Sequence, residues 1–435
     1  MRNQKDFTIP HCLPFLDGVY LVINTVPDLA VVIDSPSCAL LKAERVQGNH
    51  DFLATLSPLK NNRLYYSSAD LSSLSMGVED KYVASLKEAD KNPTISRIVS
   101  TAISMAIITD RQYDMIHEEI KDQLQHPITE VPSRELYGDW LDGYKDTLAA
   151  LAKDLPLDTK DGGDNSNKVG IVGYMMDRNE GDHIGNLEEL KRIISALGLE
   201  LVSVWPCGEP TDKLAQIGQA GTIISLPYGR KAAQIISRRN DAKLIDAPLP
   251  LGLDKTKEFV SIIAEACGKQ DIAERFIAEE EKQILPKLNW IIPQTFLDKK
   301  IAISGDPYTV EGLADVVEFL GAEAMALFCS SRAEHAENEW SKKFGVEPIF
   351  EPTAVKMQTT FEDLERNDNL DILIGESTAL IGMKNSSLLL VEFGVPSFFA
   401  HYFLPTPFLG YRGFEGLVQR MLNSISILDF INYDQ

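Results

Sequence analysis

The sequence predicts an α/β protein built from three Rossmann-like domains, each a small parallel β-sheet flanked by helices. Three observations predict it. Short β-rich runs alternate with helix-period segments along the chain, the order that parallel βαβ units require. Runs such as AVVI at Ala30–Ile33 and RIV at Arg97–Val99 are continuously apolar or nearly so, as strands buried on both faces are. At 435 residues the chain is also too long for one core.

The sharpest break is Pro156–Lys168, PLDTKDGGDNSNK, a polar Gly- and Asp-rich stretch with no apolar period. It divides an N-terminal domain, 1–157, from a middle domain, 168–294, and a C-terminal domain, 298–435, whose last helices could pack back on the N-terminal one. In the first domain, IPHCLPFLDGVYLVINTVPDLAVVIDSPSC places a helix and a strand between Cys12 and Cys38, followed by helices over Asp80–Glu88 and Asp114–Leu124. The middle domain opens with a strand at Val169–Tyr174. Asn186 is the expected cap of a helix that puts Leu187, Leu190, Ile194 and Leu197 on one face and stops at Gly198. Strands follow at Leu199–Val204, Thr222–Leu226 and Lys243–Ile245, then long helical patterns over Lys255–Ala266 and Asp271–Ile292. The third domain repeats the logic: strand Lys300–Ser304, a helix over Val310–Leu320 ended by Gly321, and strands at Ala324–Phe328, Asp371–Ile374 and one ending at Val395–Phe399.

Composition narrows the function. A net charge of −22 repels phosphates, which argues against nucleic acid and favours a basic docking partner. No apolar run of transmembrane length and no signal-peptide core occur, so no membrane association and a cytoplasmic location are expected. Five cysteines without a CxxC pair exclude a zinc ribbon or a self-contained ferredoxin motif; a cluster would need ligands from distant segments or another subunit. Cys12 and Cys38, each in a short loop rich in Pro, Ser or His, read either as a metal pair or as small buried apolar residues.

Ligands of such sheets gather beyond the carboxyl ends of strands. That rule selects Asp34–Cys38, Ser100–Ala102, Pro227–Arg230, Gly305–Asp306 and Gly375–Ser377. Glycines 173, 181 and 185 lack the close GxGxxG spacing of a dinucleotide site, and no Walker A sequence occurs, so any ATP would be bound by another protein. Gly305-Asp306-Pro307 reads as an anion site or a capping turn. Arg230, with Lys231 after Pro227-Tyr228-Gly229, could grip a substrate carboxylate or stand as an exposed pair. His401, in FFAHYFLPTPFLGYRGFEGL, could be a metal ligand, a proton donor or a core histidine.

Several landmarks in order resemble the nitrogenase component 1 family, which includes nitrogenase subunits, their cofactor-assembly scaffolds and nitrogenase-like reductases. Cys12 and Cys38 are similar in spacing to the first two cluster cysteines of α-type subunits, and Asp34-Ser35-Pro36-Ser37-Cys38 stands in place of the family's H-G-P-x-G-C turn. Tyr66–Glu79 resembles the segment leading into an F-G-G-x-x-x-L helix, with only Gly77 of the glycine pair kept. Gly305-Asp306-Pro307, Gly312-Leu313 and Leu320-Gly321-Ala322-Glu323 resemble G-D-P-x-x-x-x-G-L…L-G-x-E; Gly375-Glu376-Ser377, Gly394-Val395-Pro396 and Gly410-Tyr411-Arg412-Gly413 resemble G-x-S, G-x-P and G-Y-x-G. Leu249-Pro250-Leu251-Gly252 with Thr256 is closer to the reductases and scaffolds than to nitrogenase itself.

The departures refine what the resemblance implies. Ala102 replaces the third cluster cysteine, which argues against an eight-iron cluster. Two subunits contributing Cys12 and Cys38 each would supply the four thiolates of a shared [4Fe–4S] cluster. Tyr228 falls where the family's cofactor cysteine would be and His401 where its histidine would be, so no iron–molybdenum-type cofactor and no dinitrogen reduction are expected. The implied function is the electron-accepting catalytic component of a nitrogenase-like reductase, a homodimer or a heterodimer or heterotetramer with a related subunit. An ATP-hydrolysing iron protein would serve as donor, and substrate would lie in an inter-domain cavity lined by Tyr228, Arg230 and His401. The alternative is a non-catalytic scaffold or partner subunit.

Overall fold

The computed structural model describes residues 11–47, 62–70, 72, 76, 79–109, 111–160, 165–337, 343–367, 369–381, 383 and 388–432. Gly77 of the resemblance lies outside them. Among the described residues the strands form three all-parallel sheets.

The first sheet begins from helix α1 (Phe15–Thr25), every residue of which is buried, and strand β1 (Leu29–Asp34), buried along its length. The helix is enclosed on all sides, its polar Asp17, Asn24 and Thr25 included. After β1 come α2 (Cys38–Gln47), β2 (Leu64–Tyr66), α3 (Asp80–Ala89), β3 (Arg97–Ala102), α4 (Tyr113–Ile120), β4 (Ile128–Glu130) and α5 (Trp140–Asp154). The sheet order is β2-β1-β3-β4. Buried Arg63 donates to the carbonyls of Ile23, Val26 and Leu29, satisfying acceptors at and beyond the end of α1. Asp139 caps α5 through the backbone N–H groups of Leu141 and Asp142.

The second sheet, β6-β5-β7-β8, contains β5 (Lys168–Val172), reached before α6 (Gly181–Ala196), then β6 (Glu200–Trp205), β7 (Thr222–Ser225), α7 (Arg230–Asn240) and β8 (Lys243–Asp246). Helices α8 (Leu253–Cys267) and α9 (Gln270–Leu288) follow. The third sheet, β11-β10-β9-β12-β13, is assembled from β9 (Lys300–Gly305), α10 (Pro307–Phe319), β10 (Glu323–Cys329), β11 (Ile349–Phe350), α11 (Ala354–Arg366), β12 (Ile372–Gly375) and β13 (Leu389–Glu392), before α12 (Gly410–Asn432).

Each sheet lies inside one of the segments 1–157, 168–294 and 298–435, while compactness defines two bodies. One is Leu13–Asn179 with Leu199–Asp246 and holds the first two sheets; the other is Met1–Cys12, Glu180–Gly198 and Ala247–Gln435 and holds the third. Helices α6, α8 and α9 thus belong with the third sheet rather than with their sequence neighbours.

Three local expectations are corrected. Asn186 lies inside α6, which starts at Gly181; its Oδ1 instead accepts from the backbone N–H groups of Phe408 and Leu409, just ahead of α12. The pattern expected to run to Ile292 stops at Leu288, two residues past Pro286, and restarts as a four-residue helix at Ile292–Thr295 with Pro293 in its first turn. The last strand ends at Glu392 rather than at 395–399. There the N–H groups of Phe398, Phe399 and Ala400 turn toward the Glu392 carboxylate instead of a neighbouring strand.

Candidate functional site

Asp34, the last residue of β1, is fully buried. Its Oδ2 accepts from Arg111 Nη1 at 2.6 Å and Tyr113 OH at 2.8 Å, and its Oδ1 from Ser67 Oγ at 2.7 Å. Ser67 Oγ in turn accepts from the Ser35 backbone N–H at 3.0 Å, while Tyr20 OH from α1 donates to the Ala39 carbonyl at 2.7 Å. These bonds hold the start of α2, and Cys38, its first residue, is exposed on that support. Burial first, then the Asp34 charge, pushes the Tyr113 phenol far above its ordinary value, so it stays a donor.

Ala102 pairs in register with Asp34 and is buried with Ala69 and Ala106. The place of a third thiolate is therefore a small apolar cluster. Nearby, Ser100 Oγ is 3.1 Å from His117 Nε2, and His117 Nδ1 is 3.4 Å from Glu130 Oε2, the order of a hydrolase relay. Ser100 is nevertheless buried under Tyr82, which donates to it at 2.9 Å, and is paired on both sides in the ladder. The arrangement satisfies core polar groups and exposes no nucleophile.

Cys12 is half-buried and follows His11, whose Nε2–H donates to Glu376 Oε1 at the end of β12. Cys207 and Cys329 are poor ligand candidates: burial pushes the Cys207 thiol up to about 11, and burial with the charges of Asp306 and Glu376 pushes Cys329 well up. Cys267 ends α8. Cys12 and Cys38 are thus left as the candidate cluster thiols, two per chain.

Tyr228 is fully buried, edge-on to Tyr144 with ring centroids 6.3 Å apart. Arg230, the first residue of α7, donates to the Ser225 carbonyl and lies 3.3 Å from Asp246 Oδ1. His401 is exposed, its Nδ1 3.1 Å from Glu180 Oε1, while Glu180 Oε2 accepts from the Tyr402 N–H at 2.9 Å. Arg420 stacks 4.2 Å from the Tyr402 ring centre. Glycines 181 and 185 serve this loop: a Cβ on Gly181 would meet Leu404 O at 2.3 Å and one on Gly185 would meet Pro407 N at 2.7 Å. Their closeness is to the chain itself, not to a pyrophosphate. Glu180, Glu392 and His11 were not singled out by sequence; Glu376 lay inside a selected strand-end loop, where only the carboxyl-end rule marked it.

Three all-parallel sheets flanked by helices define a multi-sheet α/β protein. The family model described as nitrogenase component 1 type oxidoreductase matches residues 15–426, and the chain belongs to that family. It is 26% identical over 270 residues to the nitrogenase vanadium-iron protein beta chain of Trichormus variabilis, covering 55% of this chain and 57% of the relative. It is 22% identical over 323 residues to the nitrogenase molybdenum-iron protein beta chain of a Nostoc species, covering 69% and 60%. A third relative, that of Clostridium pasteurianum, is 29% identical over 182 residues, 40% of this chain and 38% of the relative. The chain spans three fifths or less of the length of these curated relatives. The fold superposes on a solved chain of nitrogenase Cp1 at pH 6.5 with a TM-score of 0.81 at 16% identity, covering 100% of this chain and 96% of that one. Among the described residues no helix is long and apolar enough to cross a membrane.

Proposed function

We propose that the chain is the electron-accepting catalytic component of a nitrogenase-like reductase, working with an ATP-hydrolysing iron protein. Cys12 and Cys38 would be its two ligands to a [4Fe–4S] cluster completed by the same residues of a second copy or by a related chain. Bound there, such a cluster supplies one-electron transfer. The observation that carries the reading is the exposed Cys38 thiol, held at the end of β1 by the buried Asp34 network in a chain of this family.

The chain's other residues have separable tasks. His401 would hold or give a proton at Nε2, with Glu180 fixing the ring from the Nδ1 side. Arg230 would anchor an anionic group by exchanging the exposed Asp246 carboxylate for that of a substrate. Tyr228, packed on Tyr144, would act as wall rather than ligand.

Anaerobic purification followed by iron and acid-labile sulfide analysis tests the cluster. Four iron atoms per dimer, a brown colour bleached by dithionite, and loss of both in Cys12→Ala and Cys38→Ala are expected for the reading; a colourless, iron-free protein rejects it. The second reading, a non-catalytic scaffold or partner subunit, is favoured by the alanine cluster at Ala102 and the buried Tyr228. A colourless chain that still associates with a cluster-bearing partner supports it.

A further inference from the structure

In the third sheet, β9 and β12 are neighbours from which the chain leaves in opposite directions, to β10 on one side and β13 on the other. The carboxyl-end crevice at such a switch point is where open parallel sheets receive ligands. Here it receives the chain itself. The His11 backbone N–H donates to the Pro352 carbonyl at 2.6 Å, His11 Nε2–H donates to Glu376 Oε1, and Thr378 Oγ1 lies 3.3 Å from the same nitrogen. The Glu376 side chain is fully buried; Oε1 also accepts from Ser304 Oγ at 3.1 Å, and among the described residues Oε2 has no hydrogen-bond partner. A buried carboxylate with one oxygen unused is expensive unless the other bonds are worth having.

We infer that this crevice is a socket for the segment carrying Cys12, with Glu376 as its positioning residue. The functional consequence rests on Cys12 being a cluster ligand: its neighbour's imidazole is fixed, so the thiol is presented from an anchored residue. Burial first, and then the charges of Asp306 and Glu376, push the Cys329 thiol up, so it stays protonated and out of competition.

The test is site-resolved alkylation by iodoacetamide of the full chain, purified in air and reduced, read by peptide mass spectrometry with Cys38 as internal reference. In the wild type, Cys12 reacts more slowly than exposed Cys38. Glu376→Ala raises the Cys12 rate relative to Cys38 about tenfold to a hundredfold, the range set by loss of a charge-assisted hydrogen bond. His11→Ala does the same, and the double variant adds little to either single one, because both remove one bond. Glu376→Gln keeps an acceptor and stays within about threefold of wild type. Unchanged Cys12 reactivity in both single variants overturns the socket, as does equal acceleration of Cys12 and Cys38. Because the assay needs no iron, a cluster-free protein rejects the proposed function and leaves the socket standing, whereas unchanged alkylation does the reverse.

Discussion

Asp34 and Glu376 are both fully buried carboxylates just beyond or at the carboxyl end of a parallel strand, yet they are built differently. Asp34 has both oxygens engaged, by Arg111, Tyr113 and Ser67. Glu376 has one oxygen taken by His11 and Ser304 and the other, among the described residues, without a hydrogen-bond partner. The first is a saturated platform under an exposed thiol; the second is an acid held ready for one incoming imidazole. The contrast teaches that the same topological position can carry stability or carry placement, and that hydrogen-bond saturation tells which.

The largest expected effect breaks the platform. Asp34→Ala leaves the Arg111 guanidinium, 3% exposed, without its carboxylate. Removing one member of a buried pair costs about 3–5 kcal/mol, so the urea midpoint should fall steeply. A loss under about 1 kcal/mol would erase the distinction drawn from saturation. Glu392 sharpens it, being a second saturated carboxylate that lies beside the socket: it accepts from the N–H groups of Phe398, Phe399 and Ala400 and from Ser377 Oγ. Glu392→Gln should cost about 2 kcal/mol and speed amide exchange at 398–400, the turn leading to His401.

Alkaline pH separates the two regions by their titrating groups. Near the socket, Cys329 has its thiol pushed above the ordinary 9.0 by burial and by Asp306 and Glu376; at the platform, burial pushes the Tyr113 and Tyr82 phenols above 10.0. In each case the unfolded chain releases its proton first. The stabilisation is therefore complete below the unfolded value and is lost as pH rises past it, by at most about 1.4 kcal/mol per pH unit per group. Stability should begin to fall above pH 9 and fall faster above pH 10, as unfolding in urea across that range would record. Cys329→Ala should flatten the first portion only.

The fold was legible because parallel strands such as AVVI and helix stops such as Gly198 and Gly321, both at positive φ, are local statements that tertiary contacts do not reverse. What escaped was non-local. Asn186 was legible as a capping residue but not as the cap of a segment more than two hundred positions away. The strand expected at 395–399 failed because a side chain, Glu392, competes for its N–H groups, and no period in the sequence reveals that. At the candidate site the thiols and the carboxyl-end loops could be read, whereas the meeting of His11 with Glu376 depends on how the third sheet folds.

The smallest effect is the most telling. Glu376→Ala removes two hydrogen bonds from a fully buried site and would, by the logic of the platform, be severe. Its Oε2 changes the balance, because deleting the side chain also relieves the desolvation of an oxygen that no described residue satisfies. His11 keeps Thr378 at 3.3 Å as an alternative neighbour. The net loss of global stability should be under about 1 kcal/mol, several-fold less than for Asp34→Ala. Urea unfolding of both variants under identical conditions measures the ratio. Equal losses would mean that Glu376 is a structural acid like Asp34, and the socket would have no role of its own; a small loss with a selectively freed Cys12 is what an acid kept for placement produces.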